Sequence, residues 1–74
     1  MDDKIVDIFN KNAREKVRIM FTTYQGRDLI DIRSCVEGDQ GLIPTRKGLT
    51  MSIDLIDKLR ECLAKASEMK NTGL

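Results

Sequence analysis

One tyrosine and three arginines, Arg18, Tyr24, Arg27 and Arg33, stand near enough in this sequence to work as a unit. Aromatic rings stack on nucleobases and guanidinium groups hold phosphates. The chemistry on offer is therefore the binding of an unpaired polynucleotide. It requires all four side chains on one surface, and a hairpin supplies that. Pairing Tyr24 with Arg27 across Gln25-Gly26 sets Phe21 opposite Ile30, Ile19 opposite Ile32, Met20 opposite Asp31 and Arg18 opposite Arg33. Side chains alternate between faces along a strand, and a slip of one residue would exchange the faces. Both strands sort apolar from charged residues in this one register, which supports it. Arg18 opposite Arg33 is unfavourable unless an anion offsets the pair. Met20 and Leu29 add apolar surface that bases would cover, and Asp31 is the one acid predicted there. The plainer reading is a wetted sheet surface whose arginines maintain solubility.

Catalysis is not expected. The chain has no histidine, so the usual general base near neutral pH is missing. Two cysteines without histidine do not complete a four-ligand zinc site. No glycine-rich phosphate loop or nucleophile elbow is present. Asp28 and Asp31, three apart on a strand, point to opposite faces. Asp54, Asp57 and Glu61 share a helix side, but Lys58 and Lys65 follow at i+4 positions, the pattern of a solvated, ion-paired face. No cofactor, metal or small-molecule substrate is expected.

The 74 residues make one small domain. A chain of this size buries only about 60% of its unfolded surface, so a symmetric dimer that extends the core is expected. The formal net charge of +1 argues weakly against a nucleic-acid binder. Its distribution argues the other way: residues 10–36 carry a net +3 and residues 40–50 a net +2, and local field steers a ligand. No apolar run of about 18 residues and no signal-peptide pattern occurs. An intracellular protein is expected, with Cys35 and Cys62 as reduced, packed thiols.

The elements that position these side chains read as follows. Strands cover residues 16–23 and 27–36, with Val17, Ile19, Phe21, Ile30 and Ile32 inward. A turn at Glu37-Gly38-Asp39 leads to a short third strand at Leu42-Ile43, which Pro44 ends or confines to an edge. Arg46-Lys47-Gly48 is predicted to turn, and Leu49 and Met51 to form a brief fourth strand. The result is an antiparallel meander followed by a helix, an α+β fold. Ser52 is a candidate N-cap, with Asp54 in the first turn. At about 100° per residue, Leu55, Ile56, Leu59, Cys62, Leu63 and Ala66 share an arc wider than one core needs. These six residues are the predicted dimer interface. Residues 1–12 form an N-terminal extension in which Ile5, Ile8 and Phe9 suit a short amphipathic helix, with a strand as the alternative. The working domain is residues 13–70, and residues 71–74 are a frayed tail.

The order of parts resembles the single-stranded DNA-binding domain of the transcriptional coactivator called positive cofactor four. The resemblance lies in an aromatic, any residue, Gly and a base followed by Leu29-Ile30-Asp31-Ile32-Arg33, then Pro44-x-Arg46-Lys47-Gly48-Leu49-Thr50 and a closing helix. It spans roughly residues 17–66. It implies a curved four-stranded antiparallel sheet and a helix-mediated homodimer holding single-stranded DNA, with Tyr24 as the stacking ring. Arg27, Arg33, Arg46 and Lys47 would take its basic positions. Gln25 stands where the family often has a base, Val36 where a second aromatic is common, and Ile43 where a lysine is expected. These departures imply weaker binding or apolar contacts shifted toward Met20 or Phe21. The absence of a Ser- and Lys-rich tail resembles bacterial or phage members.

The expectation is a non-enzymatic, largely sequence-independent single-stranded DNA-binding homodimer. It would act in transcription regulation or in DNA replication and recombination, in a bacterial or phage-infected cytoplasm, alongside transcription or replication proteins. Its DNA-binding residues are Arg18, Tyr24, Arg27, Arg33, Arg46 and Lys47. The alternatives are a small dimeric protein-interaction adaptor and a single-stranded RNA binder using the same sheet.

Overall fold

The computed structural model describes residues 3–73. Four strands, β1 (Lys4–Asn10), β2 (Glu15–Tyr24), β3 (Arg27–Gly38) and β4 (Gly41–Ser52), are followed by a 3-10 turn, Ile53–Leu55, and one helix, α1 (Ile56–Asn71). Every neighbouring pair is antiparallel and the order is β1-β2-β3-β4, an open, curved meander. Among the described residues no helix is long and apolar enough to cross a membrane.

The β2–β3 hairpin forms in the expected register, including Tyr24 opposite Arg27 and Arg18 opposite Arg33. Its turn takes positive φ at both central residues, +50° at Gln25 and +74° at Gly26. That is the type I′ conformation whose twist matches the strands. Gln25 tolerates it although Asn or Gly would be the usual choice.

Two expectations about the strands are corrected. Residues 4–10 form an edge strand rather than a helix. Ile5, Val6, Ile8 and Phe9 are β-branched or aromatic and favour a pleated surface. The loop after them is closed by Asn12, whose Oδ1 accepts from the backbone N–H groups of Arg14 (2.9 Å) and Glu15 (2.8 Å). Asx turns of this kind reverse a chain, and Asn12 is the signal that sequence reading passed over. The predicted third and fourth strands are one continuous strand. Arg46-Lys47-Gly48 does not turn. It lies at a bulge, where the pairing of Gly48 with Arg33 jumps to that of Pro44 with Cys35. Pro44 is accommodated because β4 is an edge.

Ser52 is a cap, but of the 3-10 turn: its Oγ accepts from the Asp54 N–H at 3.2 Å. At the C-terminal end of α1, Thr72 and Gly73 of the expected tail make cap contacts. The Thr72 N–H and hydroxyl donate to the carbonyls of Glu68 and Met69, and Gly73 follows at φ +73°. Residues 1, 2 and 74 of the predicted extension and tail lie outside the described residues.

The core is thin. Among the described residues the buried apolar ones are Ile30 and Cys35. One sheet face carries Val6, Ile19, Phe21, Ile30 and Ile32. Together with Ile56, Leu59, Arg60 and Leu63 of α1 it lines an open apolar hollow of about 320 Å³. Leu63 is 60% exposed, and Leu55, Cys62 and Ala66 are exposed as well. Cys62 is a free thiol exposed on the single chain, while Cys35 is buried as expected.

Candidate nucleic-acid interface

Cross-strand pairing places the second face residue by residue. Tyr24 stands beside Arg27, and Thr22 beside Leu29 and Ser52. Ile5, Met20, Asp31 and Thr50 form the next row, and Ile8, Arg18, Arg33 and Gly48 the one after. Directly paired residues project to the same side of a sheet. Tyr24 and the three hairpin arginines therefore share one face. Among the described residues no helix is layered over it, since α1 lies against the opposite face. Tyr24 is 65% exposed and Arg27 is exposed, so both are open to a ligand. Phe21, considered as a substitute base contact, belongs to the opposite face and lines the apolar hollow.

Arg18 and Arg33 are held differently. Between them lies Asp31, 5% exposed. The Arg33 Nε donates to Asp31 Oδ2 at 3.0 Å and Nη2 donates to Oδ1 at 2.8 Å. The Arg33 Nη1 donates to the Thr45 carbonyl at 3.0 Å. The Thr50 hydroxyl adds a 2.7 Å bond to Asp31 Oδ1, and Arg18 Nη2 reaches Oδ2 at 3.4 Å. The anion that offsets the opposed arginines is therefore supplied from within the chain. This corrects the inference that their opposition calls for an external ligand. Two guanidinium groups share one carboxylate, so the cluster keeps one positive charge. The buried Arg18 Nε has no hydrogen-bond partner among the described residues. Burial pushes the Asp31 carboxyl up, but bonds from Arg33, Thr50 and Arg18 hold it below its ordinary value. The same bond to Asp31 raises Arg33.

The structure separates the predicted basic pair at residues 46 and 47. Arg46 is exposed in the β4 bulge. Lys47 Nζ lies 3.6 Å from Glu15 Oε2. Glu15 stands opposite Val36 and so shares the parity of Val17 and Ile19, on the apolar face. Lys47 is not brought to the side of Tyr24. The Ser34 hydroxyl donates to the same Glu15 carboxylate, and that bond, followed by one from Asn12, lowers its pKa to about 2. Acids missed on the Tyr24 face are Asp3, which accepts from the Thr22 hydroxyl at 2.6 Å, and Glu37, paired with Lys16 at 2.6 Å. Ile5 and Ile8 were missed there too, because a strand in residues 1–12 stood only as the alternative to a helix.

Comparison with known proteins agrees with this architecture. The family model described as Transcriptional Coactivator p15 (PC4) matches residues 11–62. The chain belongs to this family of coactivator-type nucleic-acid-binding proteins. It is similar to a PC4 homolog from Burkholderia pseudomallei solved in two crystal forms, at 30% identity in each. The tetragonal form gives a TM-score of 0.78 over 89% of this chain and 98% of the other. The orthorhombic form gives 0.81 over 89% and 90%. A bacteriophage T5 homolog of eukaryotic PC4, implicated in recombination-dependent DNA replication, shares the fold at a TM-score of 0.63 and 19% identity, over 97% of this chain and 82% of the other. No curated protein sequence matches.

Proposed function

We propose that this chain is a non-enzymatic, sequence-tolerant single-stranded DNA-binding protein that works as a homodimer. The observation that carries the reading is the shared face of Tyr24, Arg27, Arg18 and Arg33, set by the hairpin register. Tyr24 stacks on a base. Arg27 and Arg46 meet phosphates directly, and the Arg18–Asp31–Arg33 cluster contributes its residual positive charge. Lys47, tied to Glu15, drops out of the first set of contacts. The exposed apolar flank of α1 and the open hollow beside it support dimerisation through Leu55, Ile56, Leu59, Cys62, Leu63 and Ala66. The family's coactivator description and the T5 homolog's link to replication support a role in transcription regulation or in replication and recombination, inside a bacterial or phage-infected cell.

Tyr24 is the only tyrosine and the chain has no tryptophan, so intrinsic emission reports on one ring. Titration with oligo-dT is expected to quench it, and Tyr24→Ala to weaken binding about ten-fold or more, since a stacked base contributes about 1–3 kcal/mol. Three neutralised phosphates, one each for Arg27, Arg46 and the residual charge of the Arg18–Asp31–Arg33 cluster, give a slope of log K against log salt of about −2.1, at about −0.7 each. An unchanged emission with a slope near zero would remove this face from consideration and favour the adaptor. Competition between DNA and RNA oligomers of equal length decides the sugar preference, since the 2′-OH is what distinguishes them.

A further inference from the structure

We infer that β1 is part of the nucleic-acid-binding face, with Ile5 and Met20 forming an aliphatic platform for bases between two sets of cations. The inference deepens the proposed function and rests on it. Ile5 stands directly opposite Met20, and Ile8 opposite Arg18. A bulge at Val6 lets β1 present Ile5 and Ile8 on the Tyr24 side while Val6 lines the hollow on the other. Ile5 is 53% exposed. A β-branched residue facing water on an edge strand is uncovered apolar surface, and none of the described residues buries it.

The surroundings identify the occupant. Residues two apart on a strand recur about every 6.8 Å on one face, so Tyr24 and Arg18 lie about 20 Å apart along β2. Between them run Thr22 with Leu29, then Met20 with Ile5. Leu29, Met20 and Ile5 are the apolar members of this strip. Thr22 is occupied by Asp3, and Asp31 beside Met20 is neutralised by the two arginines. Arg27 stands at one end and Arg18 and Arg33 at the other. A chain with a charged backbone and flat apolar bases complements this pattern, with phosphates at the ends and bases across the middle. A second copy of the same face would set its arginines near these arginines, and like charges brought together are unfavourable.

The test is equilibrium binding of a fluorescein-labelled dT oligomer across a salt series, by anisotropy, on the full chain. Wild type is compared with Ile5→Ser, Ile5→Phe, Arg27→Ala and Tyr24→Ala, each checked for folding by its circular-dichroism melt. An apolar contact releases no counterions, whereas a lost phosphate contact changes the salt slope. Ile5→Ser is expected to weaken binding about three- to ten-fold at every salt concentration with an unchanged slope. Ile5→Phe is expected to bind at least as tightly as wild type, and Arg27→Ala to flatten the slope by about 0.7. Ile5→Ser binding like wild type while Tyr24→Ala loses affinity would overturn the inference and leave the parent reading intact. So would a weakening by Ile5→Ser that appears only as a changed slope or a changed oligomeric state. Failure of wild type to bind dT would overturn both.

Discussion

Asp31 shows how one residue changes the meaning of its neighbours. From the sequence it was a minor acid on a basic face. In the fold its carboxylate is the hub that lets two arginines lie side by side. Removing one partner of a buried ion pair leaves an uncompensated charge. Asp31→Ala is therefore expected to destabilise the protein by about 3 kcal/mol, measured by urea unfolding, well beyond what an exposed pair such as Arg60–Asp57 would cost. Glu15 supplies a pH dependence. Its folded-state pKa of about 2 lies below the ordinary 4.5. Its stabilising effect is therefore present above about pH 4.5 and is lost as pH falls toward 2. The depressed Asp31 carboxyl acts in the same direction. The Tm is expected to drop across this window, and Glu15→Gln to make that drop shallower.

At the scale of elements, bulges do what a regular strand cannot. The one in β4 absorbs the extra residues between Pro44 and Gly48, so that Arg33 keeps both the Thr45 carbonyl and the Thr50 hydroxyl within reach. Gly48 is required at that closure. A Cβ there would come within 2.6 Å of the Ile32 carbonyl oxygen and 2.8 Å of the Arg33 Cα. Overpacking against backbone costs about 1–3 kcal/mol. Gly48→Ala is expected to lower stability by that amount in chemical denaturation and, because Arg33 must shift, to weaken DNA binding too. The hairpin was legible because alternation and turn agree in a single register. β1 was not legible, because four apolar residues within five positions fit a helical stripe as readily as an edge strand.

For the whole molecule the deciding fact is unfinished burial. A sheet with one apolar face and a helix whose Leu55 and Leu63 stand in water leave a monomer of this length short of core. A homodimer that covers α1 has a melting midpoint that rises with protein concentration. Leu63→Glu is expected to abolish that dependence, lower the Tm, and shift sedimentation to the monomer. A midpoint independent of concentration in wild type would count against the dimer.

The hairpin register, the sharing of one face by Tyr24, Arg18, Arg27 and Arg33, and the helix that follows are all written into the order of residues. These follow from local periodicity and turn chemistry, which act over a few residues. Tertiary structure decided that Arg18 and Arg33 are clamped on Asp31, that Lys47 turns away to Glu15, and that β1 joins the sheet. Those outcomes depend on which strands become neighbours and where a bulge shifts the pleat, and contacts between distant residues settle both.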